Sequence, residues 1–355
     1  MIPTLSTRAR ALCALSVAAA TVGASAPTAT ALPYAAPTAS ATTHAATTDA
    51  VRAGNAAAWL GWQFVDKSHL QTVYDGTAYD DAGLTLDAVL AFAASKSNAV
   101  RARAALTWLS DSATLSSYIG DGTTESYVGA HAKLALALQV SGRSPGSYGG
   151  RDILGELVRL QSDDGRFHDT SAWGDYANTF GQSLATIVMK RAGRTGRAGI
   201  ASGFLTRQQC TDGGVPITFD AATCTGDVDA TAIAIQAFRA TGRTTAAAKA
   251  ATWLRAHAAP TANSNSAGLV AAALTVVGGK ANLAVAEGNR ALVRSLQQGC
   301  TAPVGRRGAI AYAAGPFDKA AAPRATTQAI LGLAGANLTT LSAAGSAAGA
   351  PAMTC

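Results

Sequence analysis

Carboxylate and amide side chains recur at the starts of apolar helices along this sequence. In the clearest case, Asp227 and Asp229 are separated by one residue and lead directly into the apolar residues 230–238. An aspartate at a helix start can accept a hydrogen bond from a free backbone N–H and stabilise the helix by about 1 kcal/mol. A carboxylic acid beside an apolar wall can also hold a proton and donate it. Asp227 suits the capping role, whereas Asp229 is a candidate ligand contact or acid.

Five further segments supply polar groups in the first turns of apolar helices. Capping does not require tyrosine, histidine, glutamine or arginine there, because these side chains are larger than a cap. A ring of polar groups above an apolar lining is typical of a ligand pocket. For a lone histidine, a hydrogen-bonded core position is the alternative. The predicted ligand-binding residues are Asp81, Asp87, Tyr127, His131, Asp175, Tyr176, Asn178, Gln182, Asp227, Asp229, Thr231, Asn265, Arg324 and Gln328.

These segments belong to a longer repeat, with a period of roughly 40 to 50 residues. Each helix rich in Ala and Leu follows an amphipathic helix, in which apolar residues such as Leu154, Leu157 and Val158 recur at three- and four-residue intervals. Six such hairpins, with buried inner helices and solvent-facing outer helices, predict an all-α (α/α)6 toroid. We expect a single domain with no β-sheet beyond short ribbons. The N-terminal ends of the inner helices would then surround one opening, which we call the mouth.

The two ends of the chain differ in composition from the repeats. Arg8 and Arg10 precede an apolar run over residues 11–24, which is too short to span a bilayer but suits a signal peptide. The following Ala-, Thr- and Pro-rich residues are typical of a disordered linker. We therefore expect a secreted protein. The predicted boundaries are residues 1–31 for the signal peptide, 32–50 for the linker, 51–340 for the toroid and 341–355 for a C-terminal tail.

Loss of the leader would remove Cys13 and leave four cysteines, an even number that predicts disulfides in an exported chain. We expect Cys210 to pair with Cys224, and Cys300 with Cys355, although four cysteines allow three connectivities. No metal site is predicted, because CxxC and HxxxH spacings are absent. The formal net charge is +7. Basic residues cluster over residues 190–199 and at Arg306 and Arg307, both in glycine-rich stretches without a nucleic-acid motif, so we expect no nucleic-acid partner.

The ends of two outer helices carry a more specific signal. The segments QSDDGRF, residues 161–167, and QCTDGGV, residues 209–215, each precede a polar turn and a small-residue helix. They resemble the repeat of the prenyltransferase/squalene-cyclase superfamily, and the resemblance covers residues 51–337. It implies the toroid fold. Class II terpene cyclases of this superfamily carry a DxDD motif whose middle aspartate donates a proton, a position that Asp229 would occupy here. Ala230 replaces the final aspartate, which argues against cyclisation.

The superfamily also includes the transcobalamin and intrinsic-factor carriers, which GLTLDA (residues 83–88) and DATA (residues 229–232) resemble. We therefore favour a secreted, non-catalytic protein that holds a small molecule at the mouth, with a corrinoid as the leading ligand. It would require no cofactor and could pass its ligand to a membrane uptake component. The first alternative is a terpene cyclase or prenyltransferase-like enzyme that uses Asp229 as its acid.

A carbohydrate-active enzyme on a helical barrel is the second alternative. Such an enzyme needs two carboxylates that face each other across the mouth, and Asp175 or Asp229 with Asp81 could provide them. Sugar sites also need exposed aromatic side chains. The candidates are Tyr79, Tyr127, Trp173 and Tyr176.

Overall fold

The computed structural model describes residues 39–258 and 263–353, with side chains from Asp49 onward. The predicted signal peptide and Cys355 lie outside these residues. In chain order the elements are α1 (Ala39–Trp62), β1 (Gln71–Tyr74), β2 (Thr77–Asp80), α2 (Ala82–Ala94), α3 (Ala99–Leu109), α4 (Ser112–Ile119), α5 (Val128–Val140), α6 (Ile153–Arg159), α7 (Thr179–Arg191), α8 (Thr195–Gln208), α9 (Val228–Ala240), α10 (Thr244–His257), α11 (Ser264–Val277), α12 (Lys280–Leu296) and α13 (Ala322–Leu333).

Six of these helices form a closed inner ring. Helices α2, α5, α7, α9, α11 and α13 each pack against the next, and α13 packs back against α2. The outer helices α1, α3, α6, α8, α10 and α12 alternate with them along the chain. Within the described residues, the sheet is limited to the antiparallel β1–β2 hairpin. The prediction of an (α/α)6 toroid is therefore confirmed.

Small residues allow the inner helices to approach one another closely. Gly268 on α11 faces Gly332 on α13, and a Cβ atom added to Gly268 would lie 2.3 Å from the carbonyl oxygen of Gln328. The backbones of α11 and α13 are therefore in direct contact where the two helices cross. Contacts of this kind explain why the inner helices are rich in Ala and Gly, since longer side chains would push the ring apart.

A repeated hydrogen bond ties several inner helices to the chain segment that precedes them. The hydroxyl of a threonine in the first turn accepts a backbone N–H from a residue 15 or 16 positions earlier. These bonds recur because each hairpin repeats the same local geometry. The donor and acceptor pairs are Leu70 with Thr85, Val215 with Thr231, and Ile310 with Thr326.

The N-terminal helix α1 begins at Ala39, inside the segment that the composition predicts as a linker. Its residue Asp49 is buried and forms an ion pair with Arg294 of α12, at 2.9 Å between Oδ1 and Nη1. This ion pair fixes α1 beside the last outer helix. None of the described helices is long and apolar enough to cross a membrane.

Residues 337–353 run across the C-terminal ends of the inner helices. The Ala343 N–H donates to the carbonyl oxygen of Val140 at the end of α5, at 2.8 Å. Arg191, at the end of α7, donates to the carbonyl oxygen of Leu338 at 2.9 Å, and Leu338 is buried. Gln236 on α9 reaches the same segment. The tail therefore covers the base of the ring, opposite the mouth.

One predicted disulfide lies between α8 and α9. Cys210 and Cys224 are bonded, with their Cα atoms 5.6 Å apart. Cys300 is also disulfide-bonded. Its expected partner Cys355 lies outside the described residues, so that pairing stays a prediction.

Replacing both Cys210 and Cys224 with serine should lower the free energy of unfolding by about 3 kcal/mol. The bond joins residues 14 positions apart, and closing a loop of that size removes about this much conformational freedom from the unfolded chain. Urea unfolding followed by circular dichroism would measure the change. A double-serine variant with an unchanged midpoint and slope would show that the bond adds no stability.

Candidate active site at the mouth of the toroid

A cleft of about 40 Å³ opens at the mouth between the N-terminal ends of α5 and α7. Gly129 and Gly181 meet at its floor, where a Cβ atom on Gly181 would lie 3.2 Å from the backbone nitrogen of Gly129. A space of this size admits a small group, and the bulk of a larger ligand would lie above it. The lining residues are Tyr127, Gly129, Ala130, Asp169, Ser171, Trp173, Tyr176, Ala177, Asn178 and Gly181.

Three aromatic side chains surround this cleft. Trp173 and Tyr176 are 47% and 49% exposed, and both come from the connection between α6 and α7. Tyr127 lies at the start of α5, and its hydroxyl donates to Glu125 Oε2 at 2.8 Å. Exposed aromatic rings offer flat apolar faces, against which the C–H face of a sugar ring can pack.

Asp169 places a carboxyl group in the cleft. Its Oδ1 accepts a hydrogen bond from the Val128 N–H at 2.7 Å, so this loop residue caps α5. Burial raises the pKa of Asp169 to about 6, against the hydrogen bond from Val128, and the neighbouring charge of Asp175 also raises it. A carboxyl with this pKa is about half protonated at pH 6 and about one-tenth protonated at pH 7.

Asp175 organises the loop that carries Asp169. Its carboxylate accepts hydrogen bonds from the backbone N–H groups of Asp169 at 2.9 Å and Ala177 at 3.0 Å. His168 Nδ1 and Arg166 Nη2 lie 2.8 and 3.0 Å from Asp175 Oδ2. Burial acts to raise the pKa of Asp175, but these hydrogen bonds outweigh it and the pKa is lowered. Asp175 therefore stays ionised and holds the loop in place.

Glu125 lies at the edge of the cleft beside Tyr127 and Ser171. Its Oε1 accepts a hydrogen bond from the Ala172 N–H at 3.2 Å. Burial would raise the pKa of Glu125, but hydrogen bonds from Ser171 and Tyr127 outweigh it, and the pKa is lowered. The cleft and its edge thus combine a carboxyl group that keeps its proton to a higher pH than usual, Asp169, with one that stays ionised to a lower pH than usual, Glu125. Environments that separate two carboxyl pKa values in this way are typical of general acid and base pairs.

Other predicted residues meet around the mouth through contacts between neighbouring inner helices. Each contact joins polar side chains from two different repeats, which the closed ring brings together. The contacts are Asp87 with Lys133 at 2.9 Å, Asp81 with Arg324 at 3.2 Å, and Asp229 with Asn265 at 3.3 Å. Gln328 is half-buried, one turn after Arg324 on α13.

Three of the residues predicted to contact a ligand are instead buried between the inner helices and the segments that pack around them. His131, Gln182 and Thr231 are fully or almost fully buried, and each is hydrogen-bonded to a segment outside the inner ring. His131 Nε2 lies 2.9 Å from Glu156 Oε2, and the Phe167 N–H donates to Gln182 Oε1 at 2.9 Å. Thr231 makes the repeated threonine bond described above. We therefore reassign these residues to joining the layers, because the protein itself takes up their hydrogen-bonding groups.

The two aspartates at the start of α9 occupy different environments. Asp227 caps the helix, accepting from the Ala230 N–H at 2.8 Å. Asp229 Oδ1 is buried without a hydrogen-bond partner. Burial raises the pKa of Asp229 to about 6, opposed by Ser266 and Asn265, while the charge of Asp227 adds to the increase. The hydrogen-bonding partners of the Asp229 carboxyl are Asn265 and Ser266, both from α11.

Sequence reasoning finds part of the cleft and misses the rest. Tyr127, Tyr176 and Asn178 are among the predicted residues, and Asn178 also caps α7 by accepting from the Phe180 N–H at 3.0 Å. Asp169 and Glu125 are not. A usable signal was the segment HDTSAW, residues 168–173, which places a carboxylate, two hydroxyls and a tryptophan in one loop.

Comparison with known proteins supports the fold and changes the functional interpretation. No protein-family model and no curated protein matches this sequence. Solved structures with the α/α toroid fold do match. One is a protein from Actinoplanes, which is 14% identical over 81% of this chain and 98% of its own, with a TM-score of 0.58.

Two further matches degrade carbohydrates. An unsaturated glucuronyl hydrolase from Bacillus sp. GL1, responsible for the degradation of glycosaminoglycan, is 11% identical over 82% of this chain and 95% of its own, with a TM-score of 0.56. An α-1,6-mannanase of Salegentibacter sp. HEL1_6, solved with α-1,6-mannotriose, is 11% identical over 82% of this chain and 99% of its own, with a TM-score of 0.56. Sequence identities this low show that the folds are shared and do not show a shared activity.

The comparisons correct the interpretation drawn from the sequence. A non-catalytic carrier of a corrinoid is contradicted, because the neighbours with a stated activity are glycoside hydrolases. The resemblance to prenyltransferases, squalene cyclases and cobalamin carriers holds only as membership of the broad class of α/α toroids.

Proposed function

We propose that this protein is a carbohydrate-active enzyme, a glycoside hydrolase whose active site is the cleft between α5 and α7. One observation carries the proposal: a carboxyl group with a raised pKa, Asp169, lies among three aromatic side chains at the mouth. The fold shared with glycoside hydrolases supports it. The disulfide between Cys210 and Cys224 supports export, since such bonds persist mainly in oxidising compartments.

In the proposed reaction, a sugar lies against Trp173 and Tyr176 with its glycosidic oxygen next to Asp169. Asp169 donates its proton to that oxygen as the bond from the anomeric carbon to the oxygen breaks. The ionised Glu125 stabilises the positive charge that develops on the sugar. Water adds to the anomeric carbon and gives a proton to Glu125. Exchange with solvent then restores the protonated Asp169 and the ionised Glu125.

The mannanase provides a useful contrast, because its inactive variant replaces two adjacent aspartates. Two adjacent aspartate pairs lie on mouth-side connections of this chain: Asp80 and Asp81 before α2, and the exposed Asp163 and Asp164 after α6. Asp80 Oδ1 lies 2.9 Å from His69 Nε2, while Asp81 caps α2 and pairs with Arg324. Neither pair lines the aromatic cleft, so we do not assign the acid to either of them.

The proposal is tested by incubating the mature protein with aryl glycosides and polysaccharides and measuring released aglycone or new reducing ends. Hydrolysis of at least one glycoside supports the proposal. Failure of correctly folded, disulfide-bonded protein to hydrolyse any member of a panel that covers the common hexoses, pentoses and uronic acids would overturn it.

Activity should fall as the pH rises through about 6. The reaction needs the protonated form of Asp169, and burial sets the pKa of that group at about 6. Above this value kcat/KM should decrease by about tenfold per pH unit, because the required species is lost by one ionisation. The pKa of Glu125 is lowered, so its carboxylate stays ionised at pH values below the ordinary pKa of a glutamate. Protonation of Glu125 should therefore reduce activity only at more acidic pH. Initial rates from pH 3 to 9, with circular dichroism to verify folding, would measure the profile. Rates that increase from pH 6 to 8 would contradict the role of Asp169.

A further inference from the structure

The exposed aromatic side chains of the described residues lie on one face of the toroid. We call the connections that lead from an outer helix to the next inner helix the mouth face, and those that lead from an inner to an outer helix the base face. Trp62 ends α1 at the mouth face, and Tyr74, Trp173, Tyr176 and Tyr312 lie on mouth-face connections. Their exposed fractions range from 42% to 82%. The connections of the base face contain one tyrosine, Tyr148, which is 6% exposed.

These aromatic rings come from separate sectors of the ring. Tyr74 precedes α2, whereas Trp173 and Tyr176 precede α7. The carbonyl oxygen of Tyr312 accepts from the Ser264 N–H at 2.8 Å, which places Tyr312 at the start of α11. Neighbouring helix axes are about 8–10 Å apart, and α2, α7 and α11 are alternate members of the six-helix ring, so these sectors are separated by roughly 14–17 Å. One monosaccharide cannot contact all these sectors, but an extended chain of sugars can.

Charge also differs between the two faces. The mouth-face connections, residues 63–81, 120–127, 160–178, 209–227, 258–263 and 297–321, contain 14 of the 21 Asp and Glu residues but only 5 of the 28 Lys and Arg residues. The base-face connections, residues 95–98, 141–152, 192–194, 241–243 and 278–279, contain 5 basic residues and 1 acidic residue. The mouth face is therefore negative although the whole chain has a formal charge of +7.

A negative face selects against polyanions. Like charges repel over distances of about 10 Å at an ionic strength of 0.1 M, so a polyuronate or a sulfated polysaccharide would be held away from the mouth. An uncharged sugar polymer meets no such repulsion and gains contacts with each exposed aromatic ring. Three of the 5 basic residues, Arg306, Arg307 and Lys319, belong to the single connection 297–321, so the other mouth-face connections together contain 13 acidic and 2 basic residues.

We infer that the mouth face binds an extended, uncharged polysaccharide that passes over the Asp169 cleft. This inference rests on the proposed function for the reaction, but the binding surface stands on the aromatic residues and the charge. It separates this protein from the unsaturated glucuronyl hydrolase responsible for the degradation of glycosaminoglycan. The polysaccharide contacts Tyr74 and Tyr312 at positions outside the cleft, while Trp173 and Tyr176 hold one of its sugars at the site of cleavage.

Native electrophoresis through gels that contain a polysaccharide tests the binding directly. We expect a neutral mannan, glucan, xylan or galactan to retard the wild-type protein, and polygalacturonate to have no effect at 0.1 M salt. Tyr74→Ala and Tyr312→Ala should each weaken retardation by about 2- to 10-fold, the amount that one aromatic contact supplies. Ile200→Ala is the matched control, because Ile200 is an exposed apolar residue on the outer helix α8. It should leave retardation unchanged.

Retardation by none of the neutral polymers, or equally strong retardation by polygalacturonate, would overturn the inference. Equal effects of Tyr74→Ala, Tyr312→Ala and Ile200→Ala would also overturn it. Hydrolysis of a short aryl glycoside separates this result from the proposed function. If that hydrolysis occurs without polymer binding, the inference fails and the proposed function stands. If a neutral polymer binds but no glycoside is cleaved, the proposed function fails and the binding surface stands.

Discussion

Asp169→Asn should reduce glycoside hydrolysis by about 10²- to 10⁴-fold, the contribution of a general acid positioned at the glycosidic oxygen. The asparagine oxygen can still accept the hydrogen bond from the Val128 N–H, so the cap of α5 should survive. The loss would therefore appear in kcat with little change in thermal unfolding. Steady-state rates and circular dichroism on the same preparation would measure both quantities.

The matched control for this variant is Asp229→Asn. Burial raises the pKa of Asp229 to about 6, as it does for Asp169, and Asp229 also lies at the mouth, where it contacts Asn265. It does not line the aromatic cleft. We expect Asp229→Asn to retain activity within a few-fold of the wild type. If Asp229→Asn abolished hydrolysis while Asp169→Asn did not, the active site would lie between α9 and α11 instead.

Glu156→Ala should lower the free energy of unfolding by about 3–5 kcal/mol, the usual loss when one partner of a buried ion pair is removed. Glu156 is buried and pairs with both His131 and Arg151, whose Nε donates to Glu156 Oε1 at 2.9 Å. The substitution would leave these two groups without their acceptor between α5 and α6. Urea unfolding at pH 7 would measure the change.

The stabilising effect of Glu156 should depend on pH in a defined direction. Burial alone would raise the pKa of Glu156, but hydrogen bonds from His131 and Arg151 outweigh it and lower the pKa from 4.5 to about 2. The contribution is therefore complete above pH 4.5 and is lost as the pH falls toward 2. Glu287→Ala is the control, because its carboxylate is 30% exposed in its pairs with Arg290 and Arg294. We expect it to lose about 1 kcal/mol or less. Equal losses in the two variants would contradict the structural role of Glu156.

The fold could be predicted from the sequence because its signals are local and repeated. Six small-residue helices alternate with six amphipathic helices, and this alternation predicts the two layers before any contact is known. The disulfide between Cys210 and Cys224 was also predictable, since the two cysteines lie only 14 positions apart. Neither inference needed information about distant parts of the chain.

The site was only partly predictable, because part of it depends on the path of a loop. Helix starts locate Tyr127 and Asn178, but Asp169 reaches the cleft through a connection that the hydrogen bonds of Asp175 hold in place. Proximity to a helix start also does not tell which side of the helix a residue occupies. His131 therefore fitted the mouth pattern, although it contacts the outer layer.

The functional interpretation failed for a different reason. The resemblance to terpene cyclases and cobalamin carriers concerns features that position helices, and one fold supports unrelated activities. The residues that distinguish a hydrolase from a carrier are few. In the site that we propose they would include Asp169 and Trp173, which belong to a non-repeating connection.

The tail over residues 337–353 closes the base face of the toroid and leaves the mouth face open. This segment crosses the C-terminal ends of α5, α7 and α9, so it shields those ends from molecules in solution. In the proposed reaction, substrate and products would both pass Trp173 and Tyr176, and access from one side would then govern the order in which they bind and leave.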